Sequence, residues 1–229
     1  MNNKLFEIQS KLKIKYGTFR DELSEQIMAS LYLTGNEKVL EIGGNIGRNS
    51  LIISSILEDD KNLIVFESDN IIASQLKENR DLNNKNFHIE NCALSKKKLI
   101  QKGWNTVVSN VLKPGYKWVN TITLDEVKKK YNIDFDTLVL DCEGAFYHIL
   151  KDMPEILDNI NLIIMENDYR NADEKIYVDN ILEKNGLYLD YINSLNMNVN
   201  WCPCKKNFFE VWKRKSKPTD FHNKFKFKK

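Results

Sequence analysis

Histidine and cysteine are scarce in this chain, three and four among 229 residues, and that scarcity excludes two kinds of protein at once. Cys92, Cys142, Cys202 and Cys204 are too sparse for the disulfide framework of a small secreted fold, so they are expected to be free thiols in a reducing compartment. The close pair Cys202 and Cys204 would need two further ligands to hold zinc, and the other cysteines lie in separate strand-like runs with no histidine cluster beside them. Long apolar runs are also missing. Nothing approaches the roughly 20 residues that cross a bilayer, and the opening MNNKLFEIQSKLKIKYG lacks the continuous apolar core of a signal peptide. A soluble, cytoplasmic protein is the expectation. Nor is charge of one sign in excess: 34 lysines and arginines face 32 aspartates and glutamates for a net charge of +2, so the overall field gives no reason to expect a nucleic-acid partner.

What is present is an alternation. The short apolar runs KVLEIGG, NLIVFES, FHIENCALS, DTLVLDCEG, LIIMEND, GLYLDYI and NFFEVWKR read as seven buried strands. Helical spacing falls between them over residues 49–57, 70–79, 124–130, 145–150 and 172–184, with a leading helix over 21–33. Strands alternating with helices imply an α/β fold with a mostly parallel sheet. Residues 104–123, which include Pro114 and Gly115, break the rhythm and read as a hairpin or loop excursion. The chain divides into an N-terminal helical cap or lid (1–34), a main domain (35–215) and a lysine-rich tail (216–229) expected to be unstructured.

In VLEIGGNIGRNS, Glu41 ends a strand and Gly43, Gly44 and Gly47 lead into a helix that carries Asn49 and Ser50. Glycine permits positive φ and close backbone approach, and the helix start offers unpaired N–H groups. The spacing Glu41-x-Gly43-x-x-x-Gly47, with Asn45 inside it, is E-x-G-x-x-x-G rather than G-x-G-x-x-G, so a pyrophosphate is not implied. The next strand ends in Glu67 and Ser68, where a carboxylate is placed to accept both hydroxyls of a ribose. The competing reading makes Glu67 part of the next helix cap with Ser68 and Asp69.

These motifs, followed by LKENRDLNN, NCALS, TITLDEV and LDCEGAFYHIL in order, resemble the FkbM-type methyltransferases over about residues 35–164. The resemblance implies the Rossmann-like class I methyltransferase fold, with strand order 3-2-1-4-5-7-6, and S-adenosylmethionine as methyl donor. It also implies O-methylation, often of sugars, with Ala93 and Leu94 beside the adenine. Two positions depart from the family pattern: Val139 replaces a frequent lysine, and Phe146 replaces a frequent acid.

Carboxylates gather at two further strand ends, Asp141 and Glu143 in LDCEG and Glu166, Asn167 and Asp168 in IIMEND. Such a gathering calls for a cation or a basic substrate group. The arrangement is similar to that of catechol-type O-methyltransferases, in which the positions of Asp141, Glu166 and Asn167 bind magnesium; hard oxygen ligands suit magnesium or manganese. Glu143 is the favoured acceptor of the hydroxyl proton, with His148 second. Trp104, Tyr116, Trp118 and Trp201 are candidates to stack on a sugar ring. The leading expectation is an O-methyltransferase for a sugar or glycan hydroxyl. A phenolic or polyketide hydroxyl is the first alternative. The second is a non-catalytic donor-binding module that holds an anionic partner with its basic tail.

Overall fold

A computed structural model describes residues 3–195 and 202–215; Trp201 and the basic tail from residue 216 lie outside the described residues. Seven strands form one sheet: β1 (Val39–Ile42), β2 (Leu63–Phe66), β3 (His88–Glu90), β4 (Thr137–Leu140), β5 (Leu162–Glu166), β6 (Leu187–Asn193) and β7 (Phe209–Arg214). Across the sheet they run 3-2-1-4-5-7-6. β7 is antiparallel to both neighbours, and the remaining pairs are parallel. Every residue of β1, β2 and β4 is buried. A central parallel strand is covered on both faces, which is why VLEI, LIVF and TLVL are apolar without alternation.

The helices are α1 (Asn3–Lys11), α2 (Leu23–Tyr32), α3 (Arg48–Ile56), α4 (Asn70–Leu82), α5 (Leu124–Tyr131), α6 (Ala145–Asp152) and α7 (Ala172–Lys184). Local chemistry starts several of them. Asp69 accepts from the N–H groups of Ile71 and Ile72 to open α4, and Thr123 with Glu126 forms a reciprocal capping box at α5. The chain turns in opposite directions from the neighbouring strands β1 and β4, and this switch point opens a crevice at their carboxyl ends.

Three features differ from the sequence expectation. Helix α1 has no strong apolar face, only Leu5 being buried; tertiary bonds hold it, from Lys4 Nζ to the Leu33 carbonyl and from Gln9 Nε2 to Gln26 Oε1. The run FHIENCALS is not one strand. β3 ends at Glu90, and Ala93–Leu94 leaves the main sheet to pair with Thr121–Ile122. The excursion begins earlier than residue 104, because Leu99–Lys102 is the central strand of a small antiparallel sheet, flanked by Asn105–Val108 and Lys117–Val119. Alternating patterns a few residues long do not reveal which sheet a strand joins.

Candidate functional site

The carboxyl ends of β1, β2 and β4, together with the small antiparallel sheet, enclose a cleft of about 590 Å³, an ordinary size for a small-molecule site. On one side it is lined by Gly43, Asn45, Glu67, Ser68, Ala93 and Leu94, and on the other by Asp141, Glu143 and His148. Two glycines shape its floor. Gly43 has φ 91°, and a Cβ there would lie 1.6 Å from the Asp141 carbonyl oxygen, so the ends of β1 and β4 approach at backbone distance. A Cβ on Gly44 would meet Val65 Cγ1 at 2.2 Å and Leu76 Cδ1 at 2.9 Å, which makes Gly44 a packing residue. Both glycine N–H groups donate to the Phe66 carbonyl. They are therefore not free to cradle a phosphate, in agreement with the motif spacing.

Glu67 accepts from the Asn45 N–H (3.0 Å) and the Asp69 N–H (2.8 Å) while facing the cleft. Asp69, not Glu67, caps α4. Loss of hydration pushes the Glu67 carboxyl up to about 7, against the pull of those backbone donors.

A second, much smaller cavity of about 10 Å³ adjoins the cleft through Gly43 and Asp141; Glu22, Glu25, Glu41 and Asn49 also line it. Carboxylate oxygens of Glu25, Asp141 and Glu166 all lie within 4.8 Å of one another. Among the described residues the ion pairs beside this group are Arg48 with Glu22 and with Asp21, which leaves the three carboxylates without a cation. Burial and neighbouring carboxylates hold Asp141 well above the usual range. Burial, with a hydrogen bond shared with Glu25, does the same for Glu166. Burial also pushes Glu41 up to about 8, partly opposed by the Ser50 hydroxyl that donates to it.

In these groups the folded chain keeps protons that the unfolded chain releases in the ordinary carboxylate range. Stability therefore falls as pH rises from that range to about 8. The thermal midpoint of the ligand-free protein is expected to be several degrees lower at about pH 8 than at about pH 5. A midpoint that climbs across this window would contradict a protonated buried cluster.

Asn167 is fully buried: its Nδ2 donates to the Asn207 carbonyl at 2.6 Å, tying β5 to the loop before β7, and its Oδ1 has no hydrogen-bond partner. Glu25, from α2, stands with Asp141 and Glu166. Two sequence expectations are corrected. Ser50 is fully buried against Glu41, and Gly47 is the left-handed cap of α3; both support the turn and neither lines the cleft.

On the far wall Glu143 adopts φ 52°, and the following Gly144 N–H donates to Asp168 Oδ1 at 2.7 Å. Asp168, buried and pushed up to about 7 by loss of hydration and by Glu143, thus holds the Asp141–Gly144 turn in place. Loss of hydration raises Glu143, and Arg170 opposes it. His148 projects from α6 into the same cleft and is exposed. Val139 and Phe146, where the chain departs from the FkbM pattern, are core residues. Trp104 lines the cleft; Trp118 is exposed elsewhere, and Tyr116 accepts from Asn105 Nδ2. All four cysteines are free, and Cys202 donates to the Asn167 carbonyl.

The residues missed from sequence are Glu22, Glu25, Gln101 and Arg170. None sits in a motif. The three-residue spacing of Glu22 and Glu25 at a helix start puts them on one side, but nothing local says that this side meets β4 and β5.

The fold and its crevice define the class: this is the Rossmann-like fold of class I methyltransferases. No family model matches the chain, and no curated protein matches it in sequence. It is similar in structure to the O-methyltransferase from Bacillus cereus in complex with SAH, at 12% identity over 93% of this chain and 89% of that one, TM-score 0.50. The ribosomal protein L11 methylase from Lactobacillus delbrueckii subsp. bulgaricus matches at 10% identity over 89% and 82%, TM-score 0.52. A tRNA methyltransferase from Aquifex aeolicus matches at 14% over 93% and 76%, TM-score 0.50. Those proteins modify different acceptors, so the shared fold does not choose one. Among the described residues no helix is long and apolar enough to cross a membrane.

Proposed function

We propose that this protein is an S-adenosylmethionine-dependent O-methyltransferase whose acceptor is a sugar hydroxyl, as the FkbM resemblance implies. The observation that carries the donor assignment is the pairing of Glu67 in the cleft with a nearby group of carboxylates that has no cation. Glu67 suits the two ribose hydroxyls. The donor's ammonium supplies the positive charge that Asp141 and its neighbours lack, and the sulfonium gains from the same field. Helix α2 and the residue before it, which bring Glu25 and Glu22, cover this end of the donor.

In the reaction the acceptor oxygen attacks the methyl carbon as the carbon–sulfur bond breaks, leaving S-adenosylhomocysteine, and Glu143 takes the hydroxyl proton. Alignment within the cleft supplies most of the rate. Supporting a sugar are Trp104, an exposed aromatic, and the polar side chains of Asn105, Thr106, Glu143 and Arg170, which line the same cleft. The cleft is of mixed charge, Asp152 being paired with Lys97 at 2.7 Å and Arg170 lying near Glu143, so it offers no basic track for a polyphosphate backbone and no nucleic-acid acceptor is proposed.

A second reading is favoured by the geometry of Glu25, Asp141 and Glu166. Three hard oxygen ligands within 4.8 Å fit magnesium or manganese, and such an ion would lower the pKa of a bound hydroxyl. Calorimetric titration with S-adenosylmethionine, with and without each metal, separates the readings. Saturable binding without metal, weakened at least about tenfold in Asp141→Asn, is the expected result. Binding that requires metal would assign the cluster to the ion. No binding under any condition would sink the donor reading and favour a module that holds an anionic partner.

A further inference from the structure

One stretch of the chain carries charge of a single sign. Between Glu90 and Asp125 there is no acidic residue, while Lys96, Lys97, Lys98, Lys102, Lys113 and Lys117 supply six positive charges. In a chain whose acids and bases nearly cancel, this is a local exception, and it is the segment that builds the small antiparallel sheet. Three of the lysines tie that sheet to the body of the protein: Lys96 to Glu155, Lys97 to Asp152 and Lys117 to Asp69. The other three, Lys98, Lys102 and Lys113, are exposed and have no ion pair among the described residues.

Large apolar side chains stand exposed among them. Trp104 at the hairpin tip, Val108 at the strand end, Val111 and Leu112 in the following loop, and Trp118 are each between 48% and 66% exposed. The sheet gathers them at its outer end. Lys117 reaches Asp69, so the face that carries Lys117 and Gln101 turns to the body; Trp118, its partner Ile100 and Lys102 share the opposite face. Asn105 Nδ2 donates to the Tyr116 hydroxyl at 3.1 Å, and a Cβ on Gly115 would lie 3.5 Å from Lys102 Nζ. The loop over 109–116 is thus folded back on the hairpin tip. Exposed apolar residues scattered singly are ordinary, but a group of them rimmed by unpaired lysines marks an interaction surface.

We propose that the outer end of the small sheet docks on an anionic lipid bilayer, with Trp104, Val111, Leu112 and Trp118 entering the headgroup layer and Lys98, Lys102 and Lys113 meeting anionic headgroups. A second copy of this chain is a poorer occupant, because a symmetric pairing sets these lysines against their own kind. A nucleic acid would use the lysines and stack on the tryptophans, but it leaves Val108, Val111 and Leu112 without a partner. Residues 104–108 also line the cleft, so the docked bilayer lies at the cleft mouth. None of this depends on the donor assignment.

The test is co-sedimentation of the full-length protein with vesicles of phosphatidylcholine alone or mixed with phosphatidylglycerol. The wild type is expected to bind the mixed vesicles, with a blue shift of tryptophan emission, and to leave the neutral ones largely unbound. Lys102→Gln combined with Lys113→Gln should weaken binding roughly thirtyfold. Val111→Ser combined with Leu112→Ser should weaken it at least about tenfold. All four side chains are exposed, so neither pair should move the thermal midpoint. Failure of the wild type to bind the mixed vesicles overturns the proposal. So does full binding in either double variant, which would move the lipid contact to another part of the chain such as the lysine-rich tail. Binding to a single-stranded oligonucleotide that both variants lose, with vesicles ignored, overturns it in favour of a nucleic-acid surface.

Discussion

Glu67→Ala is expected to weaken S-adenosylhomocysteine binding by roughly 10²–10⁴-fold, since two hydrogen bonds to a charged carboxylate contribute about 1.5–3 kcal/mol each. The loss has a structural component as well. Glu67 also accepts from the Asn45 and Asp69 N–H groups, which link the glycine turn after β1 to the start of α4. Removing it frees both donors, so the thermal midpoint of the unliganded variant should fall by a few degrees. Glu67→Gln separates the two effects, because its amide oxygen can still accept one of the backbone bonds but cannot serve both ribose hydroxyls. The expected order of affinity is wild type, then Gln, then Ala. Unchanged affinity in Glu67→Ala, measured by calorimetry on a folded sample, would remove the carboxylate from the proposed donor site.

Gly43→Ala should be the most damaging single-methyl change in the molecule. The added carbon would lie 1.6 Å from the Asp141 carbonyl oxygen at a residue with φ 91°, so β1 and β4 must separate or the turn must change conformation. Backbone strain of about 1–3 kcal/mol adds to that collision, and a total loss of roughly 3–5 kcal/mol is expected. Gly44→Ala meets only side-chain atoms, Val65 Cγ1 and Leu76 Cδ1, which can shift by rotation, for a cost of about 1–3 kcal/mol. Denaturant unfolding of both variants checks the ranking. If Gly43→Ala proved no worse than Gly44→Ala, the close approach of the two strand ends would be in doubt. Donor binding should vanish in Gly43→Ala even where the protein remains folded, because Gly43 and Asp141 border both the cleft and the acidic cavity.

Much of this site is legible in the amino-acid sequence. The seven apolar runs and the helical spacing between them specify a parallel α/β sheet, because burial on both faces and helix periodicity leave their mark residue by residue. Strand ends are equally local. Glu41, Glu67, Asp141 and Glu166 are readable as acids at the carboxyl ends of strands, and the crevice of such a sheet lies at those ends. Capping is local too, which is why α4 and α5 begin close to where Asp69 and Thr123 place them.

The tertiary structure decided which of those acids meet and what faces them. Glu25 joins Asp141 and Glu166 because α2 packs against β5, while the amide nitrogen of Asn167, adjacent to Glu166 in sequence, is tied to the loop before β7. Gln101 shows the same limit: its residue type and setting announce nothing, and only the pairing with Lys117, tied to Asp69, brings it to the wall of the cleft. The sequence by itself determined the layers, the strand ends and the acids that stand on them, because these depend on periodicity and caps a few residues long. The composition of the acidic cavity and of the cleft beside it depends on contacts between elements tens of residues apart, and those exist only once the sheet order and the packing of its helices are formed.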